Sequence, residues 1–415
     1  MPTDFVALQE PFGADAIRTV NFFNGRLLTG NDMGREQAAR REALARIGLA
    51  MGDGVSAGLE ASYVGNVAPN NRPAASVSPG VAINRLGQTL CLKQAVTLAL
   101  SRSAAPGAAS VACLFNDCAP LADGDYVGGA GLYLLTIGPA FTSEGRAQVS
   151  GMGDASARCA TDATVEAVQF RLLEIRPELF PDGSFAAPDF RNRMAYLAFG
   201  EGVGADWSAD LLGAAARQDD LIEAMRDHGL DDAEVPLALM AFSGSFTHLF
   251  TDGWSVRRPV FTRDPESVFA NLAEPRRLGL GRAMFRQFQD EIDDIASVGG
   301  ALAATVARTR FAWLPPAGLL PVLSDAQLAA FFAGMTVRGP LFIDASSVEP
   351  LIRESFTAPA IDTTSDQVIW LYRIAQTRMA GAADVALFAS GHLPHRGDAR
   401  FNLNYWDFAN LALVP

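Results

Sequence analysis

At 415 residues the chain exceeds the size at which one hydrophobic core keeps growing, so two or three domains are expected. Apolar residues make up 49% of it, enough for sizeable cores, and disorder over most of the length is excluded. A formal charge of -13 provides no basic field for nucleic acid or an anionic membrane.

The first residues, Met1-Pro2-Thr3-Asp4-Phe5, lack a basic n-region and an apolar h-region, so no secretory signal is expected. No apolar run approaches the roughly 18 residues of a membrane-spanning helix. The chain is organised around Asn21 to Thr29. Phe22, Phe23, Leu27 and Leu28 flank an Asn24-Gly25 turn, which predicts an extended apolar segment folding back on itself. Thr29 and Asp32 have the spacing of a capping box, so a helix should begin at Asn31 or Asp32 and run to Ala50. Glu36 with Arg40 and Glu42 with Arg46 support a solvated face. Met33, Leu44, Ile47 and Met51 form a thin apolar stripe by which one narrow side should pack.

Residues 54–64 read as extended, and Val77 to Leu92 as a hairpin about the turn Asn84-Arg85-Leu86-Gly87. Strands are expected at residues 95–100, 111–115, 132–137 and 164–175. Asp123 and Asp125 lie in a glycine-rich loop without the spacing or closing Glu of a calcium loop. Residues 177–188 form a proline-rich link, the predicted first boundary. Phe190 to Gly200 reads as a helical turn or buried strand. Residues 206–229 read as a helix stopped by Gly229, and residues 235–250 as two strands about Gly244, followed by an exposed pair, Arg257 and Arg258. A helix from Gly281 to Val298 carries Phe285, Phe288, Ile292 and Ile295 on one face. Gln287, Asp290, Glu291, Asp293 and Asp294 lie on the other, read as solvated or facing a partner. Three prolines in Phe311 to Pro321 exclude a regular helix or central strand and point to a junction. Ser324 should cap a short helix. Residues 336–343 form a strand and 346–356 a helix, and strands at 368–374, 385–389 and 402–414 close a sheet.

Lys93 is the only lysine; GC-rich coding accounts for the arginine bias. Cys91, Cys113, Cys118 and Cys159 are too few for a disulfide framework and read as buried thiols. Pro394 breaks any helix that could present His392 and His395 to one metal, and no HExxH surrounds them, His228 or His248. Gly244-Ser245-Phe246 lacks the second half of a nucleophile elbow, and Gly200-Glu201-Gly202-Val203-Gly204 departs from the dinucleotide fingerprint. Arg396-Gly397-Asp398 is a common tripeptide. The adjacent carboxylates Asp219 and Asp220, Asp231 and Asp232, and Asp293 and Asp294 point apart. No catalytic, cofactor or metal residue is assigned.

The run NFFNGRLLTGNDMGREQ (21–37), Gly58-Leu59-Glu60 and the VSPGVAINRLGQTLCL hairpin (77–92) resemble the opening of proteins of phage-tail-like contractile injection systems. Residues 191–200, 235–239 with 252–258, and 314–321 resemble the same group. The resemblance implies a structural component of such a particle, at the baseplate or in an attached fibre or spike. It also implies other particle subunits as partners, self-association, and synthesis in the cytoplasm with release by lysis. The expected fold is α+β and multidomain: residues 1–53 an anchor and helix, 54–176 β-rich, 189–310 mixed, 311–415 α+β. Phe22, Phe23, Leu27 and Leu28 would secure the N-terminal module or serve as ordinary core, and residues 313–321 would serve a junction. Two rivals remain: a polysaccharide hydrolase or lyase with carboxylates converging in a cleft, and a monomeric carbohydrate- or receptor-binding module that stacks ligand on Trp254, Trp370, Tyr405 or Trp406.

Overall fold

The computed structural model describes residues 16–67, 72–101, 125–148, 159–180, 187–200, 220–244, 247–261, 274–321, 323–375 and 385–393. The architecture is α+β with several sheets. The expected strands at 111–115 and 402–414, and Arg396-Gly397-Asp398, lie outside the described residues, as do Asp123, Tyr405, Trp406 and His395.

Helix α1 spans Gly30–Met51. Thr29 is its N-cap and closes the expected capping box with Asp32, whose carboxylate accepts from the Thr29 backbone at 3.1 Å. The Asn24-Gly25 turn is present, closed by Arg26 N–H donating to Phe23 O at 3.1 Å, but no strand ladder flanks it. The expected packing face is corrected. α1 buries Asp32, Ala39 and Gly48, while Met33, Leu44, Ile47 and Met51 are exposed. Close backbone approach decides this. A Cβ on Gly48 would lie 2.1 Å from Gly87 O, so only the small-residue face can meet the hairpin turn.

Six short strands follow: β1 (Gly54–Gly58), β2 (Ala61–Val67), β3 (Arg72–Val77), β4 (Gly80–Ile83), β5 (Thr89–Leu92) and β6 (Val96–Ala99). They make two three-stranded antiparallel sheets, ordered β1-β4-β5 and β2-β3-β6. Asn84 stabilises the predicted hairpin turn: its Oδ1 accepts from the Leu86 and Gln88 backbones at 3.1 and 2.8 Å. Its Nδ2 donates to Ala233 O at 2.9 Å, docking the turn on a distant segment. Cys91 is exposed, against the expected buried thiol.

The next sheet joins β7 (Gly131–Gln148), β8 (Cys159–Glu174), β9 (Val235–Ser243) and β10 (Thr247–Asp252) in the antiparallel order β10-β9-β7-β8. Two-residue alternation sends Leu132 and Leu134 to one face, and Tyr133, Leu135 and Ile137 to the other. The first set packs against helices α2 (Phe190–Phe199) and α3 (Asp220–Asp227), the second against the small sheets. Burial on both faces explains the near-continuous apolar runs at 131–137 and 235–242. Strands from both sides of the predicted link at 177–188 share this sheet, so the link does not separate one sheet from another. Within the sheet lies a buried ion pair: Glu234 accepts from Arg171 at 3.0 Å, Thr136 at 2.7 Å and the Asp231 backbone at 2.9 Å. The predicted exposed arginine pair is half-buried: Arg257 donates to Gly58 O at 2.9 Å and Arg258 to Ala198 O at 2.9 Å.

Helix α4 (Glu274–Ser297) and the one-turn α5 (Ala307–Arg310) lead into β11 (Trp313–Leu314) and β12 (Ala317–Leu320). α6 (Asp325–Phe331), β13 (Thr336–Asp344), α7 (Ala345–Ser355), β14 (Ile361–Asp362), β15 (Val368–Ala375) and β16 (Val385–Ser390) complete the order. Ser324 and Gln327 form the cap predicted for α6. The sheet runs β12-β16-β15-β13, with β13 and β15 parallel. The proline-flanked β12 occupies an edge, where missing donors do least harm. Phe288, Ile292 and Ile295 of α4 cover one face, and Leu351 of α7 the other. Thus α4, assigned to the 189–310 region from sequence, packs in the core of the C-terminal sheet. Tyr196 and Phe199 of α2 meet Ala283 and Met284 of α4, joining the two halves.

Candidate functional site

Two places carry chemistry or contact surface beyond the cores. One is the N-terminal arm, residues 20–51. Arg26 pairs with Asp32 at 2.6 Å and donates to Asn21 O at 2.7 Å, and the Val20 backbone donates to Glu36 at 3.3 Å. These bonds tie the turn to the first turns of α1. Hydrogen bonds from Thr29 and the Arg26 charge hold the Asp32 carboxyl below its usual value. On this stitched frame the aromatic and aliphatic residues face outward: Phe23 is 63% exposed, Leu27 85% and Phe22 51%. The expectation that they form ordinary core is overturned. The frame is held by polar bonds, and Phe23 meets it only at its edge, with the Arg26 guanidinium 6.0 Å from the ring centroid.

The exposed stripe of α1 has a regular spacing. Met33, Gln37, Arg40, Leu44, Ile47 and Met51 follow one another at alternating steps of four and three, the period of a coiled-coil seam, and all are exposed. Gly48 and Ala39 face the body instead. Four of the six, Met33, Leu44, Ile47 and Met51, are apolar, and apolar groups exposed together along one side of a helix make it a candidate contact surface, whereas single exposed leucines do not.

The second place is a cleft of about 1060 Å³ between β2, β10, α2 and α4. The Tyr63 ring stacks on His248 with centroids 4.0 Å apart, and His248 Nε2 lies 2.8 Å from Thr251 Oγ1. Burial pushes the imidazole down to about 4, so it is neutral at physiological pH. At the floor, Arg191 of α2 is 6% exposed, with Nη1 2.5 Å from Asp294 and Nε 3.6 Å from Asp252. Burial opposes its charge, but Asp252, Glu291 and Asp294 outweigh that and raise its pKa. Burial raises Asp290, while a hydrogen bond from Trp254 and the Arg191 charge pull the other way. Burial also pushes Glu291 up to about 7, against the opposing charges of Arg191 and Arg310 and the bond from Gln287.

Sequence reading did not anticipate this cluster, and it misassigned two members. Gln287 and Glu291, expected on a solvated face, are fully buried; only Asp293 and Asp294 of that face are exposed. Arg191 inside the otherwise bulky FRNRMAYLAF segment was the available signal, because a charge on a buried helix needs a partner. Asp231 and Asp232 are structural: Asp231 Oδ1 accepts from the Ala233 backbone, and Asp232 pairs with Arg226 at 2.8 Å.

The two candidate stacking platforms among the described residues, Trp254 and Trp370, are covered by the protein's own arginines. Arg257 and Arg286 lie over the Trp254 ring at 5.0 and 5.9 Å, and Arg338 lies over Trp370 at 5.7 Å. Among the described residues, no group of three or more His, Cys, Asp or Glu side chains is placed to hold a metal ion, and no helix is long and apolar enough to cross a membrane. Residues 313–321 meet α2: Asn192 Nδ2 donates to Trp313 O and Asn192 Oδ1 accepts from Trp313 N, each at 3.0 Å.

No protein-family model matches the chain, and no curated protein matches it. Among solved structures it is similar to a chain of the type VI secretion system TssK-TssF-TssG baseplate subcomplex, at 10% identity and a TM-score of 0.26. The match covers 83% of this chain and 81% of that one. A likeness of that degree does not establish a shared fold.

Proposed function

We propose that the chain is a structural component of a phage-tail-like contractile injection particle, at the baseplate or in an attached fibre or spike, joined to neighbouring subunits through its N-terminal arm. The observation that carries this reading is the exposed seam of α1 continued by Phe22, Phe23, Leu27 and Leu28. Burying such a row against a partner helix contributes roughly 25 cal/mol for each Å² of apolar surface removed from water. Arg40 within the seam favours a partner that offers a carboxylate there. The motif resemblance at residues 21–37, 58–60 and 77–92 supports the same reading. Those stretches build the arm's turn, the β1–β2 corner and the hairpin on which α1 sits.

The test replaces Leu44 and Ile47 with aspartate and follows the chain through purification of assembled particles from producing cells. The variant should fold with an unchanged melting temperature and fail to sediment with particles. Normal incorporation of the variant, or a wild-type chain that never sediments with particles, would overturn the proposal.

The rival enzymatic reading draws on the cleft, with Asp290 and Asp294 beside Trp254 and Tyr63. Arg191 already engages Asp294, and Trp254 already bonds Asp290, which leaves those carboxylates less free for acid-base work.

A further inference from the structure

Gln287 and Glu291 stand one turn apart on α4, and neither side chain is exposed. Gln287 Nε2 donates to Glu291 Oε2 at 2.9 Å. The two oxygens left over, Gln287 Oε1 and Glu291 Oε1, are buried without a hydrogen-bond partner. Buried acceptors in that condition are rare and costly. No amide N–H of the pair can lie between two oxygens, but a carboxyl proton can.

We propose that Glu291 keeps its proton in the folded protein and shares it with Gln287 in a reciprocal acid–amide pair, and that loss of this proton loosens the contact between α2 and α4 at the floor of the cleft. The neighbours explain why one proton matters. From α2, Arg191 faces the pair; from the end of β10, Asp252; from α5, Arg310; and on α4 itself, Asp290 and Asp294 flank it. With Glu291 neutral, Arg191 serves Asp252 and Asp294, and the latter ion pair clasps α2 to α4. With Glu291 ionised, a third carboxylate competes for Arg191 in a buried setting, and the clasp weakens. The tendency of burial to hold the proton on Glu291 agrees with this geometry.

The sign follows from linkage. A carboxyl that binds its proton more tightly when folded supports the fold at low pH, and that support is lost as pH rises through its folded value. Hydrogen exchange of the α4 amides, corrected for the intrinsic rate, should report opening that grows about tenfold per pH unit between about pH 5 and 6.5 and levels off above about pH 7. In Glu291→Gln the amide restores both hydrogen bonds without a titratable proton, so the profile should be flat over that window. A profile in Glu291→Gln as steep as in the wild type would overturn the proposal. Wild-type protein labelled with 13C at the glutamate carboxyl gives a second readout that does not depend on any variant folding. One carboxyl should stay protonated to near neutrality, and if every glutamate titrates near the ordinary value of about 4.3, the proposal is wrong.

Discussion

Replacing Gly48 with alanine gives opposite results in two settings if α1 sits on the hairpin turn as described. In an isolated peptide of residues 30–51, alanine outranks glycine in helix propensity by about 1 kcal/mol, so helicity should rise. In the whole protein the added Cβ would lie 2.1 Å from Gly87 O and 2.8 Å from its carbonyl carbon, both backbone atoms. Neither can swing aside like the end of a side chain, and Gly87, at φ +75, has its own Cβ position 2.0 Å from Ala45 O. The contact must therefore open by more than 1 Å. Overpacking of this kind costs up to about 3 kcal/mol, against the gain of about 1, a net loss of roughly 2 kcal/mol for the docked helix. Hydrogen exchange of the α1 amides measures it directly, and the loss corresponds to about thirtyfold faster exchange. Slower exchange in both peptide and protein would refute the docking.

Other outcomes follow from the cores. Phe288→Ala removes a ring whose centroid lies 5.3 Å from those of both Phe311 and Phe388 in a fully buried site, and should cost about 3–5 kcal/mol in denaturant unfolding. A loss below about 1 kcal/mol would mean that α4 does not anchor the C-terminal sheet. Glu234→Ala leaves the Arg171 guanidinium, 8% exposed, without its carboxylate and should cost about 3–5 kcal/mol. Replacing both residues with methionine should recover much of that stability, and if the double variant is as unstable as the single one, the ion pair is not the source.

Local signals determined much of the chain. The Thr29 and Ser324 caps, the Asn84 to Gly87 turn, the strand at 132–137 and the β9–β10 pair were legible, because each depends on residues within a few positions of one another. The prolines of residues 311–321 likewise excluded a central strand, and the structure places β12 at a sheet edge. What the sequence could not assign was which face of a helix meets the body. The apolar stripe of α1 suggested the inner side, yet the approach of Gly48 to Gly87 turned that stripe outward. The carboxylate of Glu291 suggested water, yet α2 and the C-terminal sheet enclose it. Both reversals have one cause. Periodicity reports that a helix has two unlike faces, while contacts between residues far apart in sequence decide which face is buried.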